Sequence, residues 1–185
     1  MNNSSLRSLT LLATVFFVSL VAGAQEAEPR YKELPNFHRV NERLYRGGQP
    51  KDGGLKVLAD LGIKTVVNLR GESDDTREEG VEAARLGMKF ISIPMSSAGR
   101  PNDEQIRRAL AVVEGAQEGP VFVHCRRGSD RTGAVIAIYR ILHDGWTAKQ
   151  AIDEAKRYGL GLIQFQKRDY INDYYEKQQP QRAGQ

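Results

Sequence analysis

The tetrapeptide Val121-Phe122-Val123-His124 runs without a break into Cys125-Arg126-Arg127-Gly128-Ser129-Asp130-Arg131-Thr132, and then into residues 133–142, which are apolar on nearly every side. A short β-branched and aromatic run reads as a buried strand. A helix apolar all round belongs in the middle of a domain rather than on its surface. A buried strand feeding a buried helix through a glycine-bearing loop is the junction of a layered α/β domain.

The flanking chain repeats this alternation. Helical spacing places Leu55, Leu58 and Ala59 on one face of 52–61, with Gly62 set to end that helix. A strand is expected over 65–69. Residues 76–86 read as a charged helix with Val81 and Ala84 inward, and the acidic stretch 72–79 as its solvated face. A strand over 90–93 stops at Pro94. A helix over 102–117 carries Ile106, Ala109, Leu110 and Val113, one over 147–158 is capped by Thr147, and a last one covers 164–176. The expected fold is therefore α/β, a mainly parallel central sheet flanked by helices. The domain is expected over 42–177, after a polar lead-in (25–41) with little structure of its own and before a polar, frayed tail (178–185).

Residues 1–24 carry Arg7, then an apolar stretch with small residues at Ala22 and Ala24, which is the pattern of a secretory signal peptide cleaved before Gln25. The stretch is shorter than the ~20 residues of a spanning helix. An exported mature chain (periplasmic or secreted) with no stable membrane anchor is the expectation. With 185 residues, 27 Lys+Arg against 23 Asp+Glu, and a single cysteine, the chain has no intrachain disulfide and no multi-cysteine metal site. The three histidines and the lone cysteine do not cluster at ligand spacing, so neither metal nor other cofactor is expected. The mild positive charge suits an anionic ligand and falls short of a nucleic-acid surface.

The chemistry gathers in the loop 125–132. Successive backbone N–H groups at a helix N-terminus point at one spot, where the helix dipole adds positive charge. Gly128 permits a turn that a side chain would obstruct. Arg131, six residues after Cys125, can fold over the cradle and grip two oxygens of a tetrahedral anion. A thiol in that field becomes a thiolate near neutral pH. Free cysteines are often simply buried, but an anion cradle built around a nucleophile implies phosphoryl transfer through a covalent intermediate.

His124-Cys125-x5-Arg131-Thr132-Gly133 resembles the signature of the cysteine-based protein tyrosine phosphatases, in particular their bacterial dual-specificity-like branch. The looser resemblance extends over 44–175, through Tyr45-Arg46-Gly47-Gly48-Gln49-Pro50 as an opening strand and Val67-Asn68-Leu69-Arg70 as a second. It implies a dual-specificity-phosphatase-like fold, with Cys125 as the nucleophile that forms a cysteinyl-phosphate and Arg131 binding the phosphoryl oxygens. It also implies Thr132 giving its hydroxyl to the departing thiolate, and His124 orienting the loop and lowering the thiol pKa. Arg126, Arg127, Gly128, Ser129 and Asp130 complete the expected phosphate-binding loop.

Two carboxylates compete as general acid. Asp103 occupies the upstream position where the family usually places it, although Asn102 and Gln105 equally spell a helix-capping box. Asp130 lies in the loop itself, in a Cys-x-x-Gly-x-Asp-Arg pattern similar to myotubularins and to some bacterial tyrosine and phosphoinositide phosphatases. Arg126 and Arg127 either face solvent and surface acids or draw in a polyanion. His38 and His143 read as structural, and Tyr170, Tyr174 and Tyr175 as a packing face. The expected partners are a phosphorylated protein or a small phosphomonoester. The alternatives are an inositol-phosphate or phosphoinositide phosphatase, a rhodanese-like sulfurtransferase (whose loop is usually shorter between Cys and Arg), and a binding-only pseudophosphatase.

Overall fold

The computed structural model describes residues 31–182, with side chains through residue 179. The segment 1–24 and the first residues of the lead-in lie outside that range. Eleven elements follow one another among the described residues: β1 (His38–Arg39), β2 (Leu44–Gly47), α1 (Gly54–Asp60), β3 (Thr65–Asn68), α2 (Asp74–Arg85), β4 (Lys89–Ser92), α3 (Asp103–Gly115), β5 (Val121–His124), α4 (Asp130–His143), α5 (Ala148–Arg157) and α6 (Phe165–Arg182). The sheet order is β1-β2-β5-β3-β4. Only the β1–β2 pair is antiparallel, as expected of a mainly parallel sheet whose strands are linked by helical crossovers.

Period-2 alternation splits the sheet between two cores. Val67, Val121 and Val123 face α3–α6, together with Leu44, Ile106, Ile136, Ile138 and Ile171. Val66 and Phe122 face α1 and α2, together with Leu55, Leu58, Ile63 and Met88. Helix α4 is covered on nearly all sides, with Val135, Ile136, Ile138 and Ile141 fully buried. Truncating one of these isoleucines to alanine costs about 2–5 kcal/mol.

Three expectations need correction. Val81 and Ala84 of α2 are exposed, and the buried face is instead Thr76, Glu79 and Ala83. The acidic stretch is thus not wholly solvated: Glu79 turns inward because buried donors await it there. The lead-in is also built into the fold. Leu34 is buried, Phe37 stacks on Tyr45, and His38–Arg39 pairs with β2. The last helix runs past the expected end at residue 176, through a stretch read as frayed tail, to Arg182.

The register decides where function can sit. Gly47 and Asn68, the last residues of β2 and β3, both pair with His124, the last residue of β5. Three strands therefore end in one line, and the loops after them share one crevice, the place where open α/β sheets bind ligands.

Candidate functional site

Cys125 is the first residue past β5 and is only 2% exposed. The loop around it is held from outside. The Gln49 amide donates to the Arg126 carbonyl at 3.2 Å. Asn36 Nδ2 donates to the carbonyls of Arg127 at 3.1 Å and Tyr158 at 3.0 Å. Gly128 adopts φ +72°, and a Cβ there would lie 2.4 Å from the Gly47 carbonyl carbon, so glycine is required both by conformation and by space.

The elements bring the expected residues into one cavity of about 480 Å³, lined by Ser97, Ala98, Cys125, Arg126, Arg127, Asp130, Arg131 and Gln164. Burial by itself raises the Cys125 thiol pKa. The side chain and amide of Thr132, the charge of Arg131 and the Arg127 amide outweigh burial and leave it below its ordinary value. The Thr132 hydroxyl is buried with no nitrogen or oxygen partner, at a place where the sulfur is its natural acceptor. Arg131 Nη1 donates to the carbonyls of Leu69 at 3.3 Å and Met95 at 3.4 Å. The ends of β3 and β4 thereby aim its guanidinium.

The two acid candidates are separated. Asp130 lines the cavity, with Oδ2 2.5 Å from Arg127 Nη2 and Oδ1 accepting from the Gly161 amide at 3.1 Å. Asp103 does not reach it. Its Oδ1 accepts from the Tyr170 hydroxyl at 2.9 Å, and it lines a different depression beside α3 and α6. Asn102 caps α3 in a full capping box, so that residue belongs to the helix start. Arg127 is exposed and pairs with Asp130. Ser129 Oγ turns back to the Arg127 carbonyl at 3.4 Å, bracing the loop through its side chain. His143 pairs with Glu114 and His38 packs on Tyr158, both away from the thiol.

Three residues escaped the reading of the sequence. Glu79 Oε1 lies 2.9 Å from His124 Nε2, while its Oε2 accepts from Asn68 and Gln49, each at 2.9 Å. Lys167 is fully buried, and Nζ donates to the carbonyls of Ser97 and Gly99 and to Gln164 Oε1. Arg46, also buried, donates from Nη2 to the Gly128 carbonyl at 2.9 Å. Each is a charged residue held inward by polar partners, and hydrophobic periodicity carries no trace of it.

Residues 29–173 match the family described as DSP-PTPase phosphatase fused to NAD+ kinase. The chain is 34% identical over 163 residues to the dual specificity protein phosphatase TpbA of Pseudomonas aeruginosa, covering 82% of this chain and 72% of that one. Across this and two further curated relatives it spans 60% to 72% of their length. Among solved structures, a cysteine-to-serine variant of P. aeruginosa TpbA in complex with phosphotyrosine superposes with a TM-score of 0.64 at 25% identity, covering 77% of this chain and 89% of that one. The core catalytic domain of the PP-IP phosphatase SIW14 from S. cerevisiae superposes with a TM-score of 0.69 at 25% identity, covering 81% and 92%.

Proposed function

Because the chain belongs to the family of dual-specificity-type protein tyrosine phosphatases, we propose that this phosphatase hydrolyses phosphotyrosine-type monoesters at Cys125. The one observation that carries the residue assignment is Cys125 lining a single cavity with Arg126, Arg127, Asp130 and Arg131. Family membership speaks against a sulfurtransferase, and intact Cys125, Arg131 and Thr132 speak against a binding-only protein.

The sulfur attacks phosphorus as the ester P–O bond breaks, giving a cysteinyl-phosphate and an alkoxide or phenoxide that needs a proton. Arg131 and the loop amides hold the three equatorial oxygens, whose charge is greatest in the transition state. We assign the proton to Asp130, the carboxyl group that lines the cavity. Its partner Arg127 has an exposed side chain, free to swing onto the incoming anion and release Oδ2. Water then attacks the cysteinyl-phosphate and returns a proton to Asp130. The S–P bond breaks, and the Thr132 hydroxyl stabilises the departing thiolate. Inorganic phosphate leaves.

A second reading, an inositol-diphosphate substrate, is favoured by Arg126 and Arg127 on the cavity wall and by the likeness to a PP-IP phosphatase. Phosphotyrosine peptides, phosphoinositides and inositol phosphates assayed with a chelator, using Cys125→Ser as the blank, separate the readings. Faster turnover of inositol diphosphates than of every peptide would reverse the order proposed here. The segment 1–24 supports export. Protein recovered from the cell envelope should begin near Gln25, and a start at Met1 would contradict cleavage.

A further inference from the structure

Arg46 is the largest of the fully buried side chains, 1% exposed, at the centre of β2. Its Nε and Nη1 find no hydrogen-bond partner. Its contacts are the Gly128 carbonyl and the ring of Tyr158, 4.4 Å from the guanidinium carbon. Burying a charge this sparsely bonded is costly, and the cost shows in the guanidinium itself, whose pKa is lowered to about 10, chiefly by desolvation. The carboxylate whose charge bears on it, Glu154 on α5, is engaged by Arg140 of α4 at 2.9 Å. The groups that act on Arg46 are thus Glu154, Tyr158 and Cys125, which stabilise its charge, and Arg140, which opposes it.

We propose that Arg46 is a positioning residue that fixes the floor of the anion loop through the Gly128 carbonyl and lends a permanent buried charge to the anionic state of Cys125, in addition to the charge of Arg131. In a low-dielectric interior a fixed cation is felt far more strongly than in water, and an anion-supporting charge beside those of Arg131 and Lys167 gives a reason to retain so costly a group. The loop keeps its shape because Nη2 holds one carbonyl away from the site, leaving the amides to face the substrate.

This inference rests on Cys125 being the nucleophile, and the test separates the two ideas. Activity surviving in Cys125→Ser would defeat the nucleophile assignment whatever Arg46 does. For Arg46 the pair Arg46→Gln and Arg46→Lys is decisive in the full chain. Glutamine keeps a donor without charge, and lysine keeps charge without the planar fork. The pH dependence of iodoacetamide alkylation reads thiolate fraction, and orthovanadate inhibition reads loop geometry. The thiol of interest also feels Thr132, Arg127 and Arg131, and the Lys167 ammonium of α6, all unchanged in both variants. Arg46→Gln should move the alkylation midpoint up by about one pH unit, a tenfold loss of thiolate below the midpoint. Arg46→Lys should keep the midpoint and weaken vanadate inhibition. Midpoints that stay with wild type in both variants, or that rise equally in both, would overturn the proposal. If the glutamine variant does not fold, the lysine variant decides alone: an unmoved midpoint with weaker vanadate inhibition supports it, and a raised midpoint or unchanged inhibition contradicts it.

Discussion

Glu79 Oε1 stands 2.9 Å from His124 Nε2, with both side chains shut off from solvent. A carboxylate from α2 thus grips the residue that immediately precedes the nucleophile, and its other oxygen ties in Asn68 of β3 and Gln49, which follows β2. Arg70 closes the network by donating to Gln49. One buried acid therefore binds together the ends of the three strands that carry the site.

This network makes stability depend on pH in a predictable sense. Burial raises the Glu79 carboxyl pKa, but the close contact with His124, with Gln49 and Arg70, brings it below the ordinary 4.5. The folded chain holds this proton less tightly than the unfolded chain does. Its contribution is therefore complete above the ordinary carboxylate range and is lost as pH falls through the lowered folded value. Glu79→Gln should be less stable than wild type at pH 7 by about 1–3 kcal/mol, with the gap narrowing on acidification. Urea melts giving a gap independent of pH would contradict this.

Gly128→Ala should damage both stability and catalysis. At φ +72° the new Cβ would overlap Gly47 and the Gly48 amide at 2.4–2.6 Å, and both are backbone, which cannot step aside cheaply. Thermal melts should register a loss of at least about 2 kcal/mol. kcat/KM on an aryl phosphate should fall by about a hundredfold or more, as displaced loop amides no longer meet the phosphoryl oxygens.

The two aspartates should separate cleanly. Asp130→Asn should lower kcat on alkyl phosphates much more than on aryl phosphates, whose leaving groups depart without help. Asp103→Asn should leave that ratio unchanged, because Asp103 serves Tyr170 and the start of α3. A selective alkyl-phosphate defect in the Asp103 variant would exchange their roles.

Lys167 gives three hydrogen bonds from a fully buried ammonium, two of them to the loop carbonyls of Ser97 and Gly99, which flank the cavity residue Ala98. Lys167→Met should leave those carbonyls without their donor at a cost of about 1–3 kcal/mol. Hydrogen exchange should quicken around 96–100 while the sheet stays protected. Unchanged exchange in that loop would show that it is held by other contacts.

The parts of this molecule legible from sequence are those where one physical demand acts alone. Strand β5 matches residue for residue because nothing but burial shapes it, and the capping boxes at Asn102 and Thr147 are local. The Cys125–Arg131 loop was legible because its chemistry needs fixed spacing. Glu79, Arg46 and Lys167 were not, since each is a charge pulled inward by partners distant in sequence, which no periodicity encodes. The same holds for the lead-in: Asn36 looks like a loop residue until it is found holding the Arg127 and Tyr158 carbonyls.

The central claim is a covalent phosphoenzyme at Cys125, and acid-quenching the enzyme during turnover of a phosphotyrosine substrate tests it most directly. Mass spectrometry of the digested protein should find phosphate on the peptide bearing Cys125, and none in Cys125→Ser, which should also be inactive. Steady turnover with no phosphate on that peptide, or activity retained by the serine variant, would contradict the account.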